Sequence, residues 1–358
     1  MNKEAVQAKI ENLFRTQVKK DKKVKNAYLL VHSENIGLHL NLAEGQTNDR
    51  VADPAQPNHM ASVGKLFTAT IIGMLHDQGK LSFDDPVSKH LDAELMKDLH
   101  VFEGKDHSGK IKISHLLNQS SGLDDVFFDL WDKSVKESLV INPREAVIWG
   151  KENRKPKFPP GKKHLYTDTN YYLLGLIVES ITRAPFYEAL HELIFRPLGM
   201  EHAYMHGYTE PEMKSGPPVA TLHIHGEDAL SIPGFSRLDY AGGGVVAPME
   251  DLLLFMKALV HNQLLRPDTL ERMLADDHRK LPGIRYGYAI WKFVTIPILQ
   301  PEKYNCWGCV GISGAYMFFH PKTGSYIIGT FNDSSYSTKA LRFMLSKVIR
   351  NLLKTSKP

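Results

Sequence analysis

Cysteine is nearly absent: the 358 residues contain two, Cys306 and Cys309. A disulfide framework needs more, so the fold has to rest on a buried core, which a chain of this length can build. Free thiols suit a reducing compartment. Excess charge of one sign is also lacking, because 44 Lys and Arg against 40 Asp and Glu leave a net +4. That balance excludes the basic footprint of a nucleic-acid binder. The one dense basic cluster, Lys19, Lys20, Lys22, Lys23 and Lys25, reads as the solvated end of an N-terminal helix. No run approaches the ~18 apolar residues of a membrane span. The polar, amphipathic opening stretch lacks the apolar segment of a secretory signal. A cytoplasmic protein without nucleic-acid or membrane partners is expected, although a removed export signal would leave the same pattern.

Metal-binding patterns are incomplete. His202 and His206 are four apart and His223 and His225 two apart, but neither pair has an evident third ligand, so no metal and no cofactor is expected. Cys306-Trp307-Gly308-Cys309 has redox-site spacing yet falls in a strand-like stretch, not at a helix N-terminus, and reads as two ordinary thiols. Gly242-Gly243-Gly244 lacks the strand–loop–helix setting of a phosphate cradle. Asp124 and Asp125 read as solvated or helix-capping.

What is present is a clear order of elements. Val6, Ile10, Leu13, Phe14 and Val18 mark an amphipathic helix over 2–20, and strands are expected at 27–32 and 37–41. Residues 62–78 form a mostly apolar, buried helix ended by Gly79. From 84 to 275 the signals are mainly helical, with helices at 114–118, 170–182, 185–194, 249–261 and 267–275. Strand patterns return at 286–293, 315–320 and 326–331, the last two joined by Pro321-Lys322-Thr323-Gly324, before a final helix at 337–354. The expected fold is α/β (α+β): an antiparallel sheet built from both chain ends (1–85 plus 276–358), flanked by terminal helices, with an inserted helical domain at 86–275.

Chemistry enters at Ser62-Val63-Gly64-Lys65. Positions i and i+3 share a helix face, so Lys65 can stand beside the Ser62 hydroxyl, where burial would lower its pKa. The start of a helix also favours a developing negative charge. Many proteins contain Ser-x-x-Lys by chance, as a capping serine followed by a surface lysine. A second segment alters that reading. Tyr166-Thr167-Asp168, just before a helix and after Phe158-Pro159-Pro160-Gly161, closely resembles the Tyr-x-Asn region of the serine β-lactamase and penicillin-binding-protein superfamily. The surroundings are most similar to class C β-lactamases and family VIII carboxylesterases. Ser120-Ser121-Gly122-Leu123, Pro197-Leu198-Gly199-Met200, Ala241-Gly242-Gly243 followed by Glu250-Asp251-Leu252, Tyr286-Gly287-Tyr288 and Gly311-Ile312-Ser313-Gly314 resemble further family segments in the same order, from about residue 25 to 350.

The resemblance implies Ser62 as nucleophile, Lys65 as its proton partner, and Tyr166 as base toward Ser62 and then acid toward the leaving group. Tyr166 would need a lowered pKa, which the Lys65 ammonium could provide. Asp168 stands where the family usually has Asn, and would pair with Lys65 and repel anionic substrates. The literal Lys322-Thr323-Gly324 sits in a hairpin turn. Cys309-Val310-Gly311 therefore aligns with the family's Lys-Thr-Gly strand, with cysteine in place of the cation. Gly311 would admit substrate against the strand, and the backbone N–H groups of Ile312 and Ser62 would form an oxyanion hole. The expected activity is a serine hydrolase on a small acyl substrate, a carboxylesterase on neutral esters or amides. The alternatives are a β-lactamase, a D-amino-acid peptidase or acyl-transferase, or an inactive relative that serves as a binding protein. Oligomeric state is open.

Overall fold

The computed structural model describes residues 1–296 and 301–355. Its centre is a nine-stranded antiparallel sheet drawn from the two ends of the sequence. The strands are β1 (Asn26–Ser33), β2 (Leu38–Thr47), β3 (Arg50–Val51), β4 (His278–Leu281), β5 (Ile284–Tyr286), β6 (Trp291–Phe293), β7 (Cys306–Val310), β8 (Tyr316–His320) and β9 (Ser325–Thr330), in the order β4-β5-β6-β7-β8-β9-β1-β2-β3. β1 and β9 are apolar and buried on both faces, as central strands must be when both sides of a sheet are covered. Their register sets Tyr28 opposite Thr330 and Val31 opposite Ile327.

Alternation along β1 separates two cores. Ala27, Leu29 and Val31 face helix α1 (Lys3–Lys20) and the helical segment 337–352, where Phe14 packs 6.2 Å from both Phe331 and Phe343. Tyr28 and Leu30 face the larger core. That core centres on α2 (Gly64–Asp77), whose Leu66, Phe67, Ile71 and Ile72 are inaccessible to solvent. Four further helices contribute apolar side chains to it: α3 (Phe127–Glu137), α4 (Thr169–Thr182), α5 (Phe235–Gly243) and α6 (Met249–Val260). Phe67 of α2 stacks on Phe255 of α6 at 3.8 Å. Three small ladders interrupt the helical stretch, one of them pairing Val245–Ala247 with both Asn58–His59 and Tyr204–Met205.

Several expected elements differ in detail. The helix expected from residue 62 begins as a 3-10 turn, Ala61–Val63, and becomes α-helical at Gly64. The strand expected at 286–293 is two strands, because the chain reverses through Ala289 at φ 58° and returns Trp291 opposite Tyr286. The helix expected at 185–194 turns into a π-helical stretch at 191–195. Among the described residues no helix is long and apolar enough to cross a membrane.

Candidate active site

Ser62 is aimed by the turn that precedes it. Ala61 adopts φ 47°, a left-handed conformation that costs energy for a residue with a Cβ. The Ala61 N–H is held by His59 Nδ1 at 3.2 Å, and His59 Nε2 lies 3.0 Å from the buried Asp239 Oδ2. Behind this turn the chain at Gly311 comes so close that a Cβ there would stand 2.6 Å from the Met60 carbonyl oxygen. On the other side a Cβ on Gly64 would meet Gly243 Cα at 2.8 Å. Gly64→Ala is therefore expected to push the start of α2 away from Gly243, lowering stability by about 1–3 kcal/mol. Denaturant unfolding checks the stability, and covalent labelling of Ser62 checks the aim, which should be lost with it.

Lys65 is fully buried and uses its three donors on three acceptors: Ser62 Oγ at 2.9 Å, the Gly242 carbonyl at 2.8 Å, and the Asp168 carboxylate. Gly242 is positioned by the hydrogen bond from Thr68 Oγ1 to the Ala241 carbonyl, 2.6 Å, which ties α2 to the end of α5. A side chain at 242 would crowd both Asp168 and Lys65, so the glycine run serves close packing. Burial works to lower the lysine pKa, but the charge and hydrogen bond of Asp168 outweigh it and hold Lys65 above its ordinary value. The expectation that burial lowers the pKa of Lys65 is thus corrected by the carboxylate beside it. Burial in turn raises the Asp168 carboxyl, with Lys65 opposing.

Tyr166 lines the same cavity as Ser62. Its segment is pinned by Gln119, whose side chain accepts from the Thr167 N–H and donates to the Thr167 carbonyl, both at 3.1 Å. Lys65 Nζ lies 5.2 Å from the centre of the Tyr166 ring. The tyrosine pKa is nevertheless raised, not lowered: burial is the main cause, the Asp168 charge adds to it, and contact with the Ser62 hydroxyl pulls back. Burial and the Asp168 charge both act against the lowering expected from Lys65. The proton geometry is informative. Lys65 donates to Ser62 Oγ, so it is a hydrogen-bond donor with no free lone pair, and the Ser62 proton has to leave toward another group.

The third strand is placed only partly as the sequence suggests. Cys309 is buried behind Ser62, directs its Sγ to the Ser62 carbonyl at 3.3 Å, and is not among the cavity-lining residues. Burial raises its thiol pKa to about 12. Cys309 and Gly311 pack against the nucleophile turn and are not among the residues that line this cavity. Ile312 does line the cavity. Among the described residues no protein acceptor takes the N–H of Ile312 or Ser62, so both are available to an oxyanion. Lys322-Thr323-Gly324 lies in the β8–β9 turn against Asn35.

The cavity measures about 100 Å³, with Phe127, Phe128, Phe235 and Ile224 on its apolar side and Asp125, Asp168 and Asp239 on its polar side. Asp125 and Asp239 were not anticipated as cavity residues. Asp125 does cap, accepting from the Phe127 N–H at 3.4 Å, but it also accepts from the Asp168 N–H at 2.9 Å. Among the described residues no Lys, Arg or His pairs with it, whereas its neighbour Asp124 pairs with Lys157. Burial, reinforced by the Asp168 charge, raises the Asp125 carboxyl to about 7.

A helix-borne serine with a buried lysine three residues on, a tyrosine facing both, and a strand close behind agree with the sequence comparison, in which the Beta-lactamase family profile matches residues 19–346. This chain belongs to the beta-lactamase family. Its relatives include Protein flp of Staphylococcus aureus (strain MW2), 27% identical over 232 residues, or 64% of this chain and 43% of that protein. The match thus takes in less than half of that relative's length. Among solved structures, the D-amino acid amidase from Ochrobactrum anthropi SV3 complexed with D-phenylalanine shares the fold with a TM-score of 0.79 at 19% identity, covering 98% of this chain and 100% of that one. The octameric penicillin-binding protein homologue from Pyrococcus abyssi does so with a TM-score of 0.75 at 24% identity, covering 96% and 78%. The beta-lactamase family fold places this chain in the superfamily of serine acyl-enzyme hydrolases.

Proposed function

We propose that the chain is a serine hydrolase that forms an acyl-enzyme on Ser62 and acts on small amides or esters whose acyl part carries an amine. Tyr166 takes the Ser62 proton as Oγ attacks the carbonyl carbon, and returns it to the leaving group. Lys65 is a fixed donor that holds Ser62 Oγ, and the N–H groups of Ser62 and Ile312 receive the oxyanion. Water then releases the acyl group. The observation that carries the substrate class is Asp125, a buried carboxyl lining the Ser62 cavity with which, among the described residues, no Lys, Arg or His forms an ion pair. A substrate ammonium would supply that partner, and an anionic substrate group would meet three carboxylates. The cavity is small beside the ~300 Å³ or more of ordinary ligand clefts, which favours a short acyl group. The likeness to an enzyme named for D-amino acid amides supports this reading.

The sequence reading of a carboxylesterase on neutral esters or amides stays as the second reading, favoured by the mutual neutralisation of Lys65 and Asp168. Kinetics on paired substrates separate the two. Between about pH 6 and about pH 7.5 an α-amine remains protonated while Asp125 ionises, so KM for an amino-acid amide should fall with rising pH, by about 3–10-fold. KM for the desamino analogue should stay flat, and Asp125→Asn should remove the pH dependence. Equal kcat/KM for the two substrates at all pH values rejects the amine in favour of the neutral ester.

A further inference from the structure

Lys280 has no part in the proton path between Ser62, Lys65 and Tyr166. It lies in β4 at the edge of the sheet, where Arg279 faces Arg285 and Leu281 faces Ile284. β4 therefore carries one more residue than its partner, and Lys280 is that extra residue. A β-bulge of this kind redirects a side chain. Here the partly buried ammonium lies 4.1 Å from the centre of the Trp291 ring and 5.0 Å from that of Tyr166. The nearby acid, Asp277, is already held by Arg285 and Lys292. The other titratable groups around Lys280 carry no negative charge: His164, His278 and Tyr286. Burial, with Lys280 and His278 adding to it, lowers His164 to about 4, so that imidazole is neutral at ordinary pH.

Two ammonium groups thus lie within about 5 Å of one tyrosine ring, and they differ in their partners. Lys65 is paired with Asp168, while among the described residues Lys280 has no carboxylate. We propose that Lys280 is a positioning residue for catalysis, acting through Tyr166: it supplies from β4 the positive charge that position 309 lacks, and so favours the tyrosinate that accepts the Ser62 proton. The inference rests on the role proposed for Tyr166. In the step it assists, the Ser62 O–H bond breaks, the proton passes to the Tyr166 oxygen, and the Oγ–carbon bond forms as the carbonyl electrons move to oxygen. Lys280 keeps its three protons throughout. An opposite charge close to an ionising group favours its charged form, and a low-dielectric setting strengthens the effect.

Lys280 itself is lowered to about 8 by burial. This gives the role a signature that packing alone would not produce. For the amine-bearing amide or its ester, wild-type kcat should rise with pH as Tyr166 ionises and level off above about pH 8, where Lys280 loses its charge. Lys280→Met should lower kcat at neutral pH by about tenfold, the equivalent of one pKa unit, with KM little changed and the levelling near pH 8 gone. Lys280→Arg, which stays charged, should restore most of kcat and move the levelling upward. Thermal unfolding of each variant reports whether it is folded. If Lys280→Met does not fold, Lys280→Arg decides: an active enzyme whose levelling has moved upward supports the proposal, and a profile that still levels near pH 8 overturns it. A folded Lys280→Met with wild-type kcat and pH profile also overturns it. Tyr166→Phe is measured alongside. If that variant keeps full activity, the role of Tyr166 falls and Lys280 with it; if it is inactive while Lys280→Met is unchanged, only the Lys280 proposal fails.

Discussion

Ser62→Ala is expected to abolish labelling by a fluorophosphonate probe and to lower hydrolysis by about 10⁴–10⁶-fold, the scale on which losing a nucleophile acts in serine hydrolases. The loss should be this large because no neighbour can replace Ser62. Cys309 is the nearest alternative nucleophile, but its thiol is held near 12, buried, and turned toward the Ser62 carbonyl. The fold should survive, since Lys65 keeps Asp168 and the Gly242 carbonyl as acceptors, and the unfolding midpoint should stay within a few degrees of wild type. Labelling that persists in Ser62→Ala would place the nucleophile elsewhere. Failure of the wild type to label would favour an inactive relative that binds and does not turn over.

The second large effect is on stability. Asp168→Ala leaves the Lys65 ammonium buried without a counter-charge, and breaking one side of a buried pair costs about 3–5 kcal/mol. Replacing both members, as in Lys65→Met with Asp168→Leu, removes the stranded charge and should recover most of that loss while leaving the protein inactive. Urea unfolding of the two single variants and the double variant measures the coupling. An Asp168→Ala protein within about 1 kcal/mol of wild type would mean that Lys65 is not held charged by Asp168.

The residues that could be read from sequence are those whose geometry is local. Ser62 and Lys65 are one helical turn apart, so their contact follows from spacing, and Tyr166 lies three residues before the start of α4, within a run that resembles its family closely. The charge state of Tyr166 was not legible. It depends on Asp168 meeting Lys65 across a long stretch of sequence, and on burial that only the assembled fold creates. Asp125 looked like a helix cap because it is one; its second face, toward the cavity, exists only once α4 lies beside it. The stretch 286–293 read as a single strand because Tyr288, Ala289 and Ile290 are apolar in the turn as well as in the core. His278-Arg279-Lys280-Leu281 shows no clean alternation, partly because a bulge breaks it, and so neither β4 nor the position of Lys280 was visible.

The pairing of β1 with β9 has a consequence for the order in which this protein can mature. β1 is made long before β9, one of its two hydrogen-bonding neighbours. Until Ser325–Thr330 is made, β1 is paired with β2 on one side and has an unfilled edge on the other. The helices between can pack as they emerge, but the sheet that carries Gly311 and Ile312 up to Ser62 cannot close. Catalytic competence therefore waits for β9, and a chain cut short just before it would expose an aggregation-prone strand edge instead of a partly working enzyme.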